Sequence, residues 1–191
     1  MRTVGYRLAD KVLNQINNEE SWERISDPVL YFDSSTINLE VQNPGFVFLD
    51  KAEIIDKDEF YIDNKVFVNS EIDLFSIGKV NFLTIPGEIF PEILTGGVES
   101  PENGDYKGPI IEQEGLINLM PGKYNFIIGL TNDMVGYIIP KTQWDEKSPY
   151  TYQLNKRPSH EEGSSMGPDV SGIIYLESKR LIERYKTIKY L

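Results

Sequence analysis

The spacing of apolar residues predicts a helix at each end of the chain. Residues 3–17 carry an apolar side chain at every fourth position, so one stripe runs along an amphipathic helix, and we expect it to pack on another element. The stripe consists of Val4, Leu8, Val12 and Ile16, with Leu13 beside them. A final helix begins at Pro168-Asp169, and its apolar face holds Val170, Ile174, Leu181, Tyr185 and Ile188.

Apolar runs between these helices predict the strands of a sheet. Residues 37–41 alternate between apolar and polar, Asn43-Pro44-Gly45 turns the chain, and residues 46–49 continue as a buried strand. Residues 60–68 form a hairpin around Asp63-Asn64-Lys65, because Asp and Asn tolerate left-handed backbone angles, and this hairpin is expected at an exposed edge.

Two further strands end near oxygen-bearing side chains. Residues 80–85 are apolar at almost every position, as in a strand covered on both faces, and residues 124–130 follow the turn at 120–123. The whole pattern predicts a single α/β domain over residues 1–191. Its mixed (α+β) sheet is flanked by an N-terminal and a C-terminal amphipathic helix, with long loops at the strand ends.

The two strand ends are the expected place for chemistry, since ligands collect where rigid strands open into loops. Glu88 follows residues 83–87 at a corner before a short helix over 89–94, and Tyr137 follows residues 129–136. Thr131-Asn132-Asp133 is typical of a helix cap. Taken alone, Glu88 also fits a solvated or helix-capping residue, Tyr137 a core or rim tyrosine, and His160 an ordinary loop histidine.

Two long polar segments, residues 98–114 and 140–168, are predicted loops. The second holds Trp144, Tyr150, Tyr152 and the single histidine, His160. Aromatic residues in such loops favour the covering of a pocket.

Composition and missing motifs argue against several classes of function for this chain. The formal net charge of -11 argues against nucleic acid or an anionic membrane as partner. The chain has no cysteine and one histidine, so a self-contained zinc site would depend mainly on carboxylates. It shows no signal peptide, membrane span, Gly-x-Ser-x-Gly elbow, phosphate loop or dinucleotide fingerprint, and its localisation stays open. If the chain is an enzyme, we expect it to be part of one.

Three blocks in order resemble the neutral/alkaline, non-lysosomal ceramidase family. They are Leu-Thr-Ile-Pro-Gly-Glu at 83–88, Gly-Leu-Thr-Asn-Asp-Met-Val-Gly-Tyr-Ile-Ile-Pro at 129–140, and His-Glu-Glu-Gly-Ser-Ser-Met-Gly-Pro at 160–168. The resemblance extends from about Val80 to the final helix. It is nearest to bacterial ceramidase-like proteins, and it implies the C-terminal half of the catalytic domain.

The resemblance implies a zinc-dependent amidohydrolase whose metal is held by two histidines, a glutamate and a tyrosine. Glu88 matches that glutamate and Tyr137 that tyrosine, while Asn132 and Asp133 would support the site from beneath. His160 and Glu161 are assigned near the ligands or substrate, and His160 stands where many relatives have a tyrosine. The histidines and the serine implicated in catalysis belong to an earlier half without a counterpart here, so no catalytic residue is assigned in this chain.

Two functions follow as expectations. The first is the C-terminal portion of an amide hydrolase acting on an N-acyl lipid or another amide, inactive without a missing N-terminal half or complementary chain. The second is a non-catalytic binding or scaffold module that keeps the fold without the metal chemistry.

Overall fold

A computed structural model describes residues 2–52, 59–152 and 160–189. The helices are α1 (Arg2–Asn17), α2 (Pro44–Lys51), α3 (Pro91–Thr95), α4 (Leu116–Leu119), α5 (His160–Gly163) and α6 (Val170–Lys189). The strands are β1 (Leu30–Glu40), β2 (Glu59–Ile62), β3 (Lys65–Ile77), β4 (Val80–Thr84), β5 (Glu88–Ile89), β6 (Tyr124–Ile128) and β7 (Tyr137–Ile138). Short 3-10 helices span Glu19–Ser21 and Lys141–Gln143. The helices near both ends and the mixed sheet confirm the predicted α/β class.

The main sheet has the order β1-β3-β4-β6, and β2 also pairs with β3. The pairs within β1, β2, β3 and β4 are antiparallel, whereas β4 and β6 are parallel. A second sheet consists of the parallel pair β5 and β7. Because β5 follows β4 and β7 follows β6, this small sheet continues the parallel pair beyond its carboxyl end.

The core lies between one face of the main sheet and helix α6. Leu74 and Leu83 from the sheet and Ile174 and Leu181 from the helix are fully buried. The Tyr185 hydroxyl of α6 is hydrogen-bonded to Ser76 Oγ at 3.0 Å, and Asn81 Oδ1 lies within acceptor distance of the same hydroxyl at 3.2 Å. The predicted apolar face of α6 is confirmed except at Ile188, which is 56% exposed because the last turn extends past the buried core.

The other face of the main sheet carries a row of four phenylalanines, one on each of β1, β3, β4 and β6. Phe32, Phe75, Phe82 and Phe126 are successive partners in the strand register. The Phe75 and Phe82 ring centroids are 4.7 Å apart, and those of Phe82 and Phe126 are 5.4 Å apart. Phe32 and Phe126 remain exposed. The prediction that residues 80–85 are covered on both faces is therefore wrong, since β4 is fully buried on one face only.

Helix α1 confirms the predicted helix but not its predicted packing. None of its side chains is buried, and Val4 and Leu8 are 71% and 64% exposed. Trp22 donates from Nε1 to the Gln15 carbonyl at 3.3 Å, which joins the helix to the segment that follows it. Apolar periodicity identifies which face of a helix seeks a partner, but not whether this chain supplies one.

Residues 46–49 lie in helix α2, so the predicted buried strand there is wrong. The Asn43 carbonyl accepts a hydrogen bond from the Val47 amide at 3.1 Å, and Asn43 Oδ1 accepts one from the Gly45 amide at 2.8 Å. Pro44 is the first helical residue, a position where its missing N–H is no loss. A run of four apolar residues does not by itself distinguish a strand from a helical turn.

Several shorter predictions are confirmed. Asp63 and Asn64 have φ angles of 50° and 63° in the hairpin between β2 and β3. Pro91 begins helix α3, which ends before Gly96. The predicted loop over 98–114 contains no helix or strand, and all of it belongs to the described residues. Among the helices of the described residues, none combines the length and apolarity that crossing a bilayer requires.

Candidate metal-binding site

The two strand ends predicted to share a site are direct neighbours in the second sheet. Glu88 and Tyr137 are Cα partners in the parallel register of β5 and β7. The Glu88 amide donates to the Gly136 carbonyl at 2.9 Å, and the Phe90 amide donates to the Ile138 carbonyl at 3.1 Å. Side chains of partnered residues project from the same face of a sheet, so a carboxylate and a phenol stand side by side.

Backbone hydrogen bonds fasten this small sheet to the main one. The Ile85 amide donates to the Ile128 carbonyl at 2.9 Å, and the Val135 amide donates to the Pro86 carbonyl at 2.7 Å. Thr131 adds a side-chain bond, because its Oγ1 accepts from the Ile85 amide at 3.0 Å. The positions of Glu88 and Tyr137 are thus set by main-chain contacts that do not involve their own side chains.

A glycine precedes each of the two residues, and both glycines allow close backbone contact. A Cβ atom at Gly87 would lie 2.5 Å from the Gly136 carbonyl oxygen. A Cβ atom at Gly136 would lie 2.0 Å from the Ser164 carbonyl oxygen, and the Gly136 φ angle of 86° is one that side chains disfavour. Sequence reasoning missed this role, although a glycine directly before each candidate ligand was a visible signal.

Burial and negative charge both act on Tyr137. Burial of the phenol is the first cause of a raised Tyr137 pKa, followed by the charges of Glu88 and Glu161 and by a hydrogen bond to Glu88. The His160 ring meets the Tyr137 ring edge-on, with centroids 5.2 Å apart. His160 Nδ1 lies 3.3 Å from Glu161 Oε2. The structure therefore brings together four predicted residues: Glu88, Tyr137, His160 and Glu161.

The Tyr137 hydroxyl is expected to ionise above the ordinary tyrosine value of 10.0 in the metal-free chain. Replacement of Glu88 by glutamine removes one negative charge and should lower the Tyr137 pKa toward that value. A pH titration of the chain labelled with ¹³C at the tyrosine Cζ atom measures this directly. Glu102→Gln, a change at an exposed loop residue, is the control; an unchanged Tyr137 pKa in Glu88→Gln would contradict the arrangement described here.

Asn132 and Asp133 have their observed contacts in the main sheet and in their own loop. Asn132 Nδ2 donates to Asp73 Oδ2 at 2.7 Å and lies 3.3 Å from Thr84 Oγ1. Asp133 Oδ1 accepts from the Met134 amide at 2.8 Å. The residues after this predicted helix cap form β7 and not a helix, because Asn132 adopts a left-handed φ angle of 66° and Tyr137 pairs with Glu88. Their support of a metal site stays a prediction.

Within residues 2–52, 59–152 and 160–189, no three histidine, aspartate or glutamate side chains are grouped closely enough to hold a metal ion. Glu88 offers a carboxylate oxygen, which is an ordinary zinc ligand, and Tyr137 offers a phenol oxygen next to it. Two donors are half of a four-coordinate site. A metal ion held by Glu88 and Tyr137 would therefore need further donors from outside this pair.

Comparison with known proteins adds no relative to this picture. No family model matches the chain, and neither a curated protein nor a solved structure is significantly similar to it.

Proposed function

We propose that this chain is the C-terminal part of a zinc-dependent amide hydrolase, resembling the neutral ceramidases, and that it supplies Glu88 and Tyr137 as two of the metal ligands. The observation that supports the proposal most is the direct pairing of these residues in β5 and β7. They stand far apart in the sequence, in two of the blocks that carry the resemblance, and they meet at the carboxyl end of the parallel strands β4 and β6.

The donor chemistry fits half of a zinc site. Glu88 is exposed and Tyr137 half-buried, so this end of the small sheet is accessible to a second polypeptide segment that would complete the metal site. Zinc, when bound, polarises a carbonyl oxygen and acidifies a coordinated water. Glu88 brings the negative charge, while Tyr137 brings a neutral hydroxyl, since its pKa is raised further above the ordinary tyrosine value. The His160 ring lies edge-on beside the Tyr137 ring.

Zinc titration of the isotopically labelled chain tests the metal half of the proposal. We expect weak binding, since two oxygen donors hold zinc poorly, with amide chemical-shift changes centred on Glu88 and Tyr137. Glu88→Gln and Tyr137→Phe should each abolish these changes. Nuclear magnetic resonance separates this response from zinc bound elsewhere on an acidic surface.

Glu102→Gln serves as the control for the loss of one carboxylate, because Glu102 is exposed in the loop before helix α4. Shifts of equal size in wild type and Glu88→Gln would overturn the assignment of Glu88. The hydrolase half of the proposal requires the polypeptide that carries the remaining donors. Addition of that polypeptide should produce zinc-dependent cleavage of an N-acyl amide, which neither part shows alone.

A non-catalytic binding or scaffold module is the second candidate, and two surfaces favour it. The phenylalanine row leaves apolar rings exposed on the main sheet, and α1 exposes its whole apolar stripe. Exposed apolar surface of this kind is typical of interaction sites. The reading frame upstream of Met1 separates the candidates, since the hydrolase requires a histidine-containing half and a scaffold does not.

A further inference from the structure

A cavity of about 340 Å³ lies next to the candidate metal site and is lined mainly by acidic and aromatic side chains. The acidic and aromatic lining residues are Phe90, Glu92, Glu99, Tyr152, Glu161 and Glu162. Glu161 belongs to both regions, because its charge also acts on Tyr137. In the part of the chain that the structure describes, no lysine, arginine or histidine lines the cavity.

Two of these carboxylates have an oxygen without a hydrogen-bond donor among the described residues. Glu162 is only 6% exposed, and its Oε1 accepts from the Asp145 amide at 3.2 Å, but its buried Oε2 has no partner there. Glu92 Oε2 is likewise buried without a partner in the described chain. Glu92 belongs to α3 and Glu162 to α5, so two separate elements each place a glutamate with an unpartnered oxygen in the wall of one cavity.

A buried carboxylate oxygen without a donor is costly, and such oxygens normally have a partner. Here the missing partners are two hydrogen-bond donors, and the surrounding charge is negative. Burial raises the Glu162 pKa, and nearby Asp145 and Glu161 raise it further. A positively charged donor would satisfy both oxygens and offset this repulsion.

We propose that this cavity binds a small linear diamine, with its ammonium groups donating hydrogen bonds to Glu92 and Glu162 and its carbon chain against Phe90 and Tyr152. The N–H groups of an ammonium can donate to the two unpartnered oxygens and also carry positive charge, whereas a quaternary ammonium has no N–H group. The aromatic rings suit an organic cation. No three acidic or histidine side chains of the described residues are grouped to hold a metal ion, so an organic cation fits better. The inference does not depend on the proposed zinc chemistry.

Calorimetric titration with putrescine tests the proposal at near-neutral pH, in fixed salt and with a metal chelator present. Saturable binding to one site per chain is expected. Glu162→Gln should weaken it about tenfold or more, since a charge-assisted hydrogen bond is lost. Butanediol, which has the same chain length and no charge, should not bind.

Two further variants keep the result interpretable. Glu92→Gln alters the second unpartnered acceptor, which lies on a different element. If near-ultraviolet circular dichroism shows that Glu162→Gln does not fold, the putrescine affinity of Glu92→Gln tests the proposal instead. Glu102→Gln, away from the cavity, should bind putrescine as the wild type does. The proposal is overturned if putrescine does not saturate the wild type, or if folded Glu162→Gln and Glu92→Gln bind it with unchanged affinity. Because zinc is excluded, failure here would leave the hydrolase proposal unaffected.

Discussion

Under the proposed function, Glu88→Gln should lower zinc-dependent amide hydrolysis about a thousandfold when the chain is assayed with a polypeptide that carries the remaining metal ligands. The glutamine amide is neutral and a weak metal ligand. Metal assistance is worth several kcal/mol at the barrier, and about 1.4 kcal/mol corresponds to tenfold in rate. Folding should change little, because the Glu88 side chain is exposed and its backbone bonds to Gly136 persist. The measurements are kcat/KM on an N-acyl amide, zinc content and the unfolding midpoint in urea.

Glu102→Gln is the matched control, since it removes the same charge from an exposed position outside the site. Its activity should equal that of the wild type. Normal turnover and full zinc content in Glu88→Gln would refute the role of Glu88 as a ligand. A loss of activity together with a large drop in the unfolding midpoint would instead show that Glu88 supports the fold.

Gly136→Ala should destabilise the chain by about 3 kcal/mol or more, the range of substitutions that strain the backbone and force a clash. The added Cβ atom would lie 2.0 Å from the Ser164 carbonyl oxygen at a φ angle of 86°. Relief requires movement of β7, which also displaces Tyr137 from Glu88. Urea unfolding measures the free-energy change, and the resonance of the Tyr137 hydroxyl-bearing carbon reports the displacement.

Gly97→Ala separates the two causes of this effect. Gly97 has a similar φ angle of 97°, but a Cβ atom there meets no other atom within 4 Å. Its substitution should cost about 1–2 kcal/mol from backbone strain alone. If Gly136→Ala costs no more than Gly97→Ala, the close contact between β7 and residue 164 is not a constraint on the site.

The proximity of Glu88 and Tyr137 could be anticipated from the sequence because both follow apolar runs of strand character. The hydrophobic pattern could not predict which strands pair. Hydrophobic spacing does not show that β4 and β6 are parallel neighbours or that Glu88 is the register partner of Tyr137. Gly87 and Gly136 carry the information that the two backbones approach closely. That information becomes visible only when the partner strand is known.

The errors at Phe46 and Phe82 have a common physical origin. Both residues lie in short apolar runs, and such runs indicate burial without fixing which element forms or which faces are covered. At residues 46–49 the cap at Asn43 decides for a helix. Among the described residues a helix covers only one side of the sheet at β4, and Phe82 packs between Phe75 and Phe126 on the other side.

The cavity at Glu92 and Glu162 was beyond sequence reasoning for a different reason. The long segment after Pro140 was expected to cover a pocket, and Tyr152 does line one. The acidic character of that pocket comes from α3 and α5, which are remote in sequence. No local sequence motif predicts that Glu92 and Glu162 each have a carboxylate oxygen without a hydrogen-bond donor among the described residues.

Main-chain hydrogen bonds and glycines hold β5 and β7 together, so the backbone around Glu88 and Tyr137 does not depend on the donor atoms of these two side chains. Substitution of either side chain would change the donor atoms at this position while the two paired strands stay in place. Positions 88 and 137 are therefore suitable sites at which to engineer other pairs of ligand side chains.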